Sequence, residues 1–117
     1  MNGKFDNSRG NVRVANRVIA KIVGYTATGC YGVVGMALSG GKDGIAKLLK
    51  LEQMDRGVKI RMTDDGIEIA LFIIVEYGTN ISAIGEVIRS SVKYHVEDMT
   101  GLNVARVDVN VEGIRVN

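Results

Sequence analysis

The residue types that carry chemistry are few in this 117-residue chain: one cysteine, one histidine, two pairs of adjacent acids and a glycine-rich loop with a lysine. A reactive cysteine needs a lowered pKa, supplied by a cation, a helix N-terminus or a metal. Cys30 instead follows the end of a helical pattern, where the negative end of the dipole raises a thiol pKa, and it reads as a small buried filler. His95, one position before Val96 on a second helical pattern, is a boundary histidine. Zinc needs several N or S ligands, so one imidazole makes no metal site. Asp64 and Asp65 fall in a turn, where Asp is favoured for local hydrogen bonding, and Glu97 and Asp98 fall on the side of their helix away from its apolar stripe. Neither pair has the partners of general acid–base machinery. The residues therefore predict no enzyme, no cofactor and no metal.

Ser39-Gly40-Gly41-Lys42-Asp43-Gly44 is not a nucleotide loop: Asp43 stands where Ser or Thr is required, and Met36 where the first Gly is required. Gly41-Lys42-Asp43-Gly44 does fit the Gly-x-x-Gly loop by which KH domains clamp an RNA backbone, with Lys47 and Lys50 following. In that module a helix precedes the loop, whereas here a strand pattern does, and the net charge is only +2. An RNA-binding module using this loop is the alternative functional reading. The same Lys42, Lys47 and Lys50, on a short amphipathic helix over Ile45–Leu51, would be the contact with anionic lipid. Seven residues are too short, and their leucines too much needed for packing, to favour direct membrane contact.

These groups must be held by a small number of elements. Composition gives one domain with an aliphatic core: 46% hydrophobic but 5% aromatic, no Pro, and a single Cys that rules out an internal disulfide. No apolar run reaches transmembrane length, and the N-terminus lacks the apolar stretch of a signal peptide. Residues 1–10 read as a mobile tail, with a single domain over 11–117. Val12 and Val14 suggest a small strand. A helix over Asn16–Thr28 follows, capped by Asn16 and stopped by Gly29. Val33–Leu38 suggests a strand. Gly57–Met62 and Ile67–Tyr77 form a hairpin about Asp65-Gly66. A second helix spans Ile81–Met99, capped by Asn80 or Ser82, with Ile84, Val87, Ile88, Val92, Val96 and Met99 buried and Gly101 left-handed at its end. The last strand, Val104–Glu112, would turn Ala105, Val107, Val109 and Val111 inward. The fold class is α+β: two layers, with two main helices on one face of a three- to four-stranded mixed sheet, and a short extra helix.

In the long strand Ile67, Ile69, Leu71, Ile73 and Val75 point one way, to the helices. The other face reads Glu68, Ala70, Phe72, Ile74, Glu76, with Lys59, Arg61, Arg106, Asp108 and Asn110 expected around it. An apolar centre of Ala70, Phe72 and Ile74 inside a rim of Lys59, Arg61 and Arg106 is the anatomy of a protein contact.

The second half carries a family pattern. Val75-Glu76-Tyr77-Gly78-Thr79-Asn80-Ile81, Val96-Glu97-Asp98-Met99-Thr100-Gly101-Leu102-Asn103-Val104 and Val107-Asp108-Val109-Asn110-Val111-Glu112-Gly113-Ile114 resemble the alkaline shock protein family of Gram-positive envelope stress response proteins. Gly10-Asn11-Val12-Arg13-Val14, Val18-Ile19-Ala20-Lys21-Ile22 and Gly32-Val33-Val34-Gly35-Met36 agree with its opening helix and strand, so the resemblance covers about residues 10–114. Ser82 stands where the family often has Pro, and Asp108 where it often has Asn. The resemblance implies a cytoplasmic non-enzyme tied to cell-envelope homeostasis. It also implies a scaffold that self-associates and is held at the membrane by an integral membrane anchoring protein.

Overall fold

The computed structural model describes residues 9–38 and 48–116, with side chains from Ala15 onward apart from that of Leu51. Along the chain run α1 (Arg9–Thr28), β1 (Val33–Met36), a 3₁₀ turn (Leu51–Gly57), β2 (Val58–Thr63), β3 (Gly66–Glu76), α2 (Ile81–Thr100) and β4 (Val104–Arg115). The eleven residues of β3 alternate buried and half-buried until Ile73, as a strand between a core and a second surface must. β4 runs parallel to β3 along one edge, from Ile67 to Glu76. The other edge of β3 is shared, with β2 antiparallel along Gly66–Leu71 and β1 antiparallel along Ile73–Val75. The result is the expected two-layer α+β fold on a mixed sheet. α1 packs over β1 and β2, α2 over β4, and the helices meet each other above β3.

Ile67, Ile69, Leu71, Ile73 and Val75 of β3 form the core with Ile19 and Val23 of α1 and with Ile88, Val92 and Val96 of α2. α2 keeps its expected ends. Asn80 accepts the Ala83 N–H at 3.1 Å, and Gly101 takes the left-handed conformation (φ 73°) that closes the last turn. Just beyond it, the Glu97 carboxylate accepts both the Val104 backbone N–H and the Lys93 ammonium at 2.9 Å, while Lys93 also donates to the Val104 carbonyl at 3.0 Å. This clamp fixes where β4 begins. The Val104 N–H, and after it Lys93, hold the Glu97 carboxyl below the usual glutamate range. A depressed carboxyl pKa stabilises the fold above the ordinary range and ceases to as pH falls through its folded value. Urea unfolding of wild type and Glu97→Gln should therefore differ at neutral pH and converge in acid; a gap unchanged by pH would contradict the clamp.

Several elements differ from the sequence reading. α1 begins at Arg9, so residues 9 and 10 are helical rather than tail, Val12 and Val14 lie in the helix rather than a strand, and Asn16 is an interior residue instead of a cap. Two valines at alternate positions fit a helix as well as a strand; the row Ala15, Ile19, Val23 and Ala27, all buried, decides for one continuous helix. Residues 1–8 lie outside the described residues.

Of the expected helix over Ile45–Leu51, residues 45–47 lie outside the described residues, and residues 48–50 are not helical. Leu48 bridges Ala37, the Leu49 N–H donates to the Met36 carbonyl at 2.8 Å, and the helical turn starts only at Leu51. Two glycines explain the extended path. Leu48 lies over Gly35, where an added Cβ would sit 2.6 Å from Leu48 Cδ1, and Leu49 packs beside Gly57. Extended backbone sends these neighbours to opposite sides, whereas in a helix they would lie only about 100° apart.

On α2, Val87 and Met99 are exposed rather than buried, because Ile84, Ile88, Val92 and Val96 alone fill the row against the core. On β4 the pairing slips at Ala105, which becomes exposed while Val104 turns into the core. The hairpin turn is centred on Asp64-Asp65, with Thr63 opposite Gly66.

Candidate interaction site

The sheet face turned away from the helices is built in rows across three strands. Arg61, Glu68 and Arg106 form the first row, Lys59, Ala70 and Asp108 the second. Phe72 lies beside Asn110 in the next, and Ile74 between Gly35 and Gly113 in the last. The face is thus charged at the β2-turn end and apolar toward the β1 end.

The charged row is internally satisfied. Arg61 donates through Nη2 and Nε to Glu68 Oε1 at 2.6 and 3.0 Å, and Arg106 Nε donates to Asp108 Oδ1 at 3.0 Å. That bond, with the field of Asp108 and then Glu68, pushes the Arg106 pKa further up. These pairs are largely solvated and contribute little to stability. Their effect is to fix which charge stands where. Lys59 Nζ lies 5.7 Å from the centroid of the Phe72 ring, so the aliphatic stem and ammonium of Lys59 flank the aromatic side chain.

The expected residues are therefore brought to one face, but unevenly. Phe72 and Ala70 are half-buried, and Ile74 is only 7% exposed, so the apolar centre is smaller than the alternation implied. Gly35, beside Ile74, leaves room for Leu48 to fold over it. Lys50 is exposed just before the 3₁₀ turn. Lys42, Lys47 and the Gly41–Gly44 loop lie outside the described residues.

The sequence reading did not anticipate a second surface. Between α1 and α2, on the side away from the sheet, runs an open groove of about 700 Å³ lined by Tyr25, Tyr31, Val87 and Met99 with Cys30 and His95. The exposure of Val87 and Met99, assigned inward from periodicity, follows from the narrow buried row of α2. Neither Cys30 nor His95 gains a catalytic setting there. Burial raises the Cys30 thiol pKa, and its Sγ donates to the Thr26 carbonyl at 3.4 Å. His95 is exposed, with Nδ1 donating to the Ser91 carbonyl at 2.8 Å and its ring edge-on to Tyr94. Among the described residues no cluster of His, Cys, Asp and Glu could hold a metal ion. No helix among them is long and apolar enough to cross a membrane.

Fold and surfaces together define a two-layer α+β domain with α1 and α2 on one face of a mixed sheet. In fold it is similar to a solved MamM CTD variant, with a TM-score of 0.51 at 14% identity over 86% of this chain and 96% of that one. The chain belongs to the alkaline shock protein 23 family, described as having a cell envelope-related function, whose pattern matches residues 4–116. It is 42% identical over 108 residues to the uncharacterized protein YloU of Bacillus subtilis, covering 92% of this chain and 90% of that protein. It is 36% identical over 117 residues to the uncharacterized protein Spy1614 of Streptococcus pyogenes, covering 99% and 97%. A stress response regulator gls24 homolog of Streptococcus pyogenes is 33% identical over 110 residues; the match spans 92% of this chain and 60% of that longer protein.

Proposed function

We propose that this protein is a non-enzymatic cytoplasmic scaffold or adaptor in cell-envelope stress or homeostasis, working by self-association and by binding a membrane-anchored partner. The observation that carries the reading is the sheet face turned away from α1 and α2 in a chain of an envelope-related family, with Phe72 at its centre and Lys59, Arg61 and Arg106 around it. An aromatic anchor in a fixed charged frame suits a protein contact, where the ring supplies buried area and the charges set orientation.

Phe72→Glu tests the role of the face. Co-sedimentation with membranes from cells that contain the partner should fall to background in this variant, while the circular dichroism spectrum stays that of wild type. Unchanged co-sedimentation would remove the face from the proposal. The RNA-binding alternative predicts a different outcome: co-purified nucleic acid, steep loss of binding with salt, and weakening by Lys42→Glu.

A further inference from the structure

The outer edge of β4 is a twelve-residue strand edge with no strand partner among the described residues, since β4 pairs with β3 alone. Such an edge presents unpaired N–H and C=O groups to any chain able to match it. Beside it, between α2 and β4, lies an open groove of about 390 Å³ lined in part by Ile81, Ile84, Val109 and Val111, with Glu86 and Arg89 at its rim. The inward valines of β4 are accordingly only half-buried. The edge and the groove are two separate signs that the sheet is unfinished on this side.

We infer that a second copy of this chain completes it, pairing β4 to β4 antiparallel about a two-fold axis at Val109, so that the sheet runs continuously through the dimer. The inference rests on the self-association in the proposed function and names its surface.

The residue order on β4 selects the register. A two-fold axis perpendicular to the sheet keeps both helix layers on one side and sets each residue opposite another of the same face. About Val109, Arg106 meets Glu112, Asp108 meets Asn110, and Val107 meets Val111. Shifting the axis to Asp108 opposes two aspartates, and shifting it to Asn110 opposes Asp108 to Glu112. Like charges directly opposite are unfavourable, which excludes both. An axis at Val107 would oppose Arg106 to Asp108 but pair only residues 104–110, so the Val109 register, which pairs 104–114, gives the longest complementary ladder. It also joins the two grooves, bringing apolar α2–β4 surface from both copies together.

Charge reversal tests this directly. Arg106 and Glu112 are six residues apart on one strand, roughly 20 Å, so any rescue between them must come from the other copy. Light scattering of the full-length chain should show a wild-type dimer. Arg106→Glu and Glu112→Arg should each weaken it by about tenfold or more. The double reversal should restore it, and mixing the two single variants should give a heterodimer. In a Cys30→Ser background, Val109→Cys should cross-link on mild oxidation, because directly opposed residues lie about 4.5–5.5 Å apart. Val107→Cys should not. A dimer that ignores both reversals and resists the Val109 cross-link, yet dissociates in Phe72→Glu, overturns β4 pairing and leaves self-association standing. A monomeric wild type overturns both.

Discussion

Gly66→Ala is expected to destabilise the fold by ~3 kcal/mol or more, enough to consume a large share of a small domain's margin. Two penalties coincide there. Gly66 has φ +132°, a conformation in which an L side chain is strained, and an added Cβ would lie 2.5 Å from the Asn103 carbonyl oxygen and 2.7 Å from Asn103 Nδ2. Neither atom can retreat cheaply. The Asn103 carbonyl accepts the Ile67 N–H at 2.8 Å, and Asn103 Nδ2 donates to the Asp65 carbonyl at 2.7 Å. These bonds seat the α2–β4 connection on the hairpin turn and set the start of the parallel β3–β4 pairing. Gly78 is the control, with φ +87° and nothing within 4 Å of a Cβ, so Gly78→Ala should cost only the strain, about 1–2 kcal/mol. Urea unfolding of both variants measures the difference; equal losses would show that Asn103 does not press on the turn.

Leu71 and Phe72 are neighbours on opposite faces of the same strand, and their truncations should separate core from contact surface. Leu71 is fully buried, paired with Val58 on one side and Val109 on the other. Leu71→Ala should cost about 2–5 kcal/mol, the lost transfer energy plus a cavity that central-strand neighbours cannot collapse to fill. Phe72 is half-buried under Lys59, and its truncation removes a partly solvated ring and one cation–π contact, so Phe72→Ala should cost about 1 kcal/mol. A Phe72→Ala loss as large as that of Leu71→Ala would mean that the face is already covered within the monomer. The same variant would then say nothing about partners.

Much of the fold was legible because it depends on local rules. The alternation Ile67, Ile69, Leu71, Ile73, Val75 states a strand with one buried face, and the cap and stop of α2 are written in Asn80 and Gly101. The absence of a catalytic set was argued from Cys30 and His95 as isolated groups. Burial, rather than the helix dipole, proves to be what raises the Cys30 thiol pKa. The errors fall where a residue's role depends on a partner remote in sequence. Leu48 and Leu49 fit a helix until Gly35 and Gly57 offer each a seat on opposite faces. Val87 and Met99 satisfy the helical period yet stay outside, since the core of β3 and α1 is filled by Ile84, Ile88, Val92 and Val96. Glu97 looked like a solvated charge, although its four-residue spacing from Lys93 was a signal, and its bond to Val104 exists only once β4 returns beside α2.

The sequence by itself determined the fold class, the family pattern and the set of charged and apolar residues around Phe72, because periodicity and capping act over a few residues. Tertiary structure alone decided how much of that face remains open. Ile74, expected in its open centre, is only 7% exposed, with Leu48 folded over the neighbouring Gly35. It also decided that β4 ends the sheet with an edge unpaired among the described residues, because the other edge of β3 is shared by β2 and β1. Strand order is a competition between distant segments for one set of hydrogen bonds, and no local pattern records which segment wins.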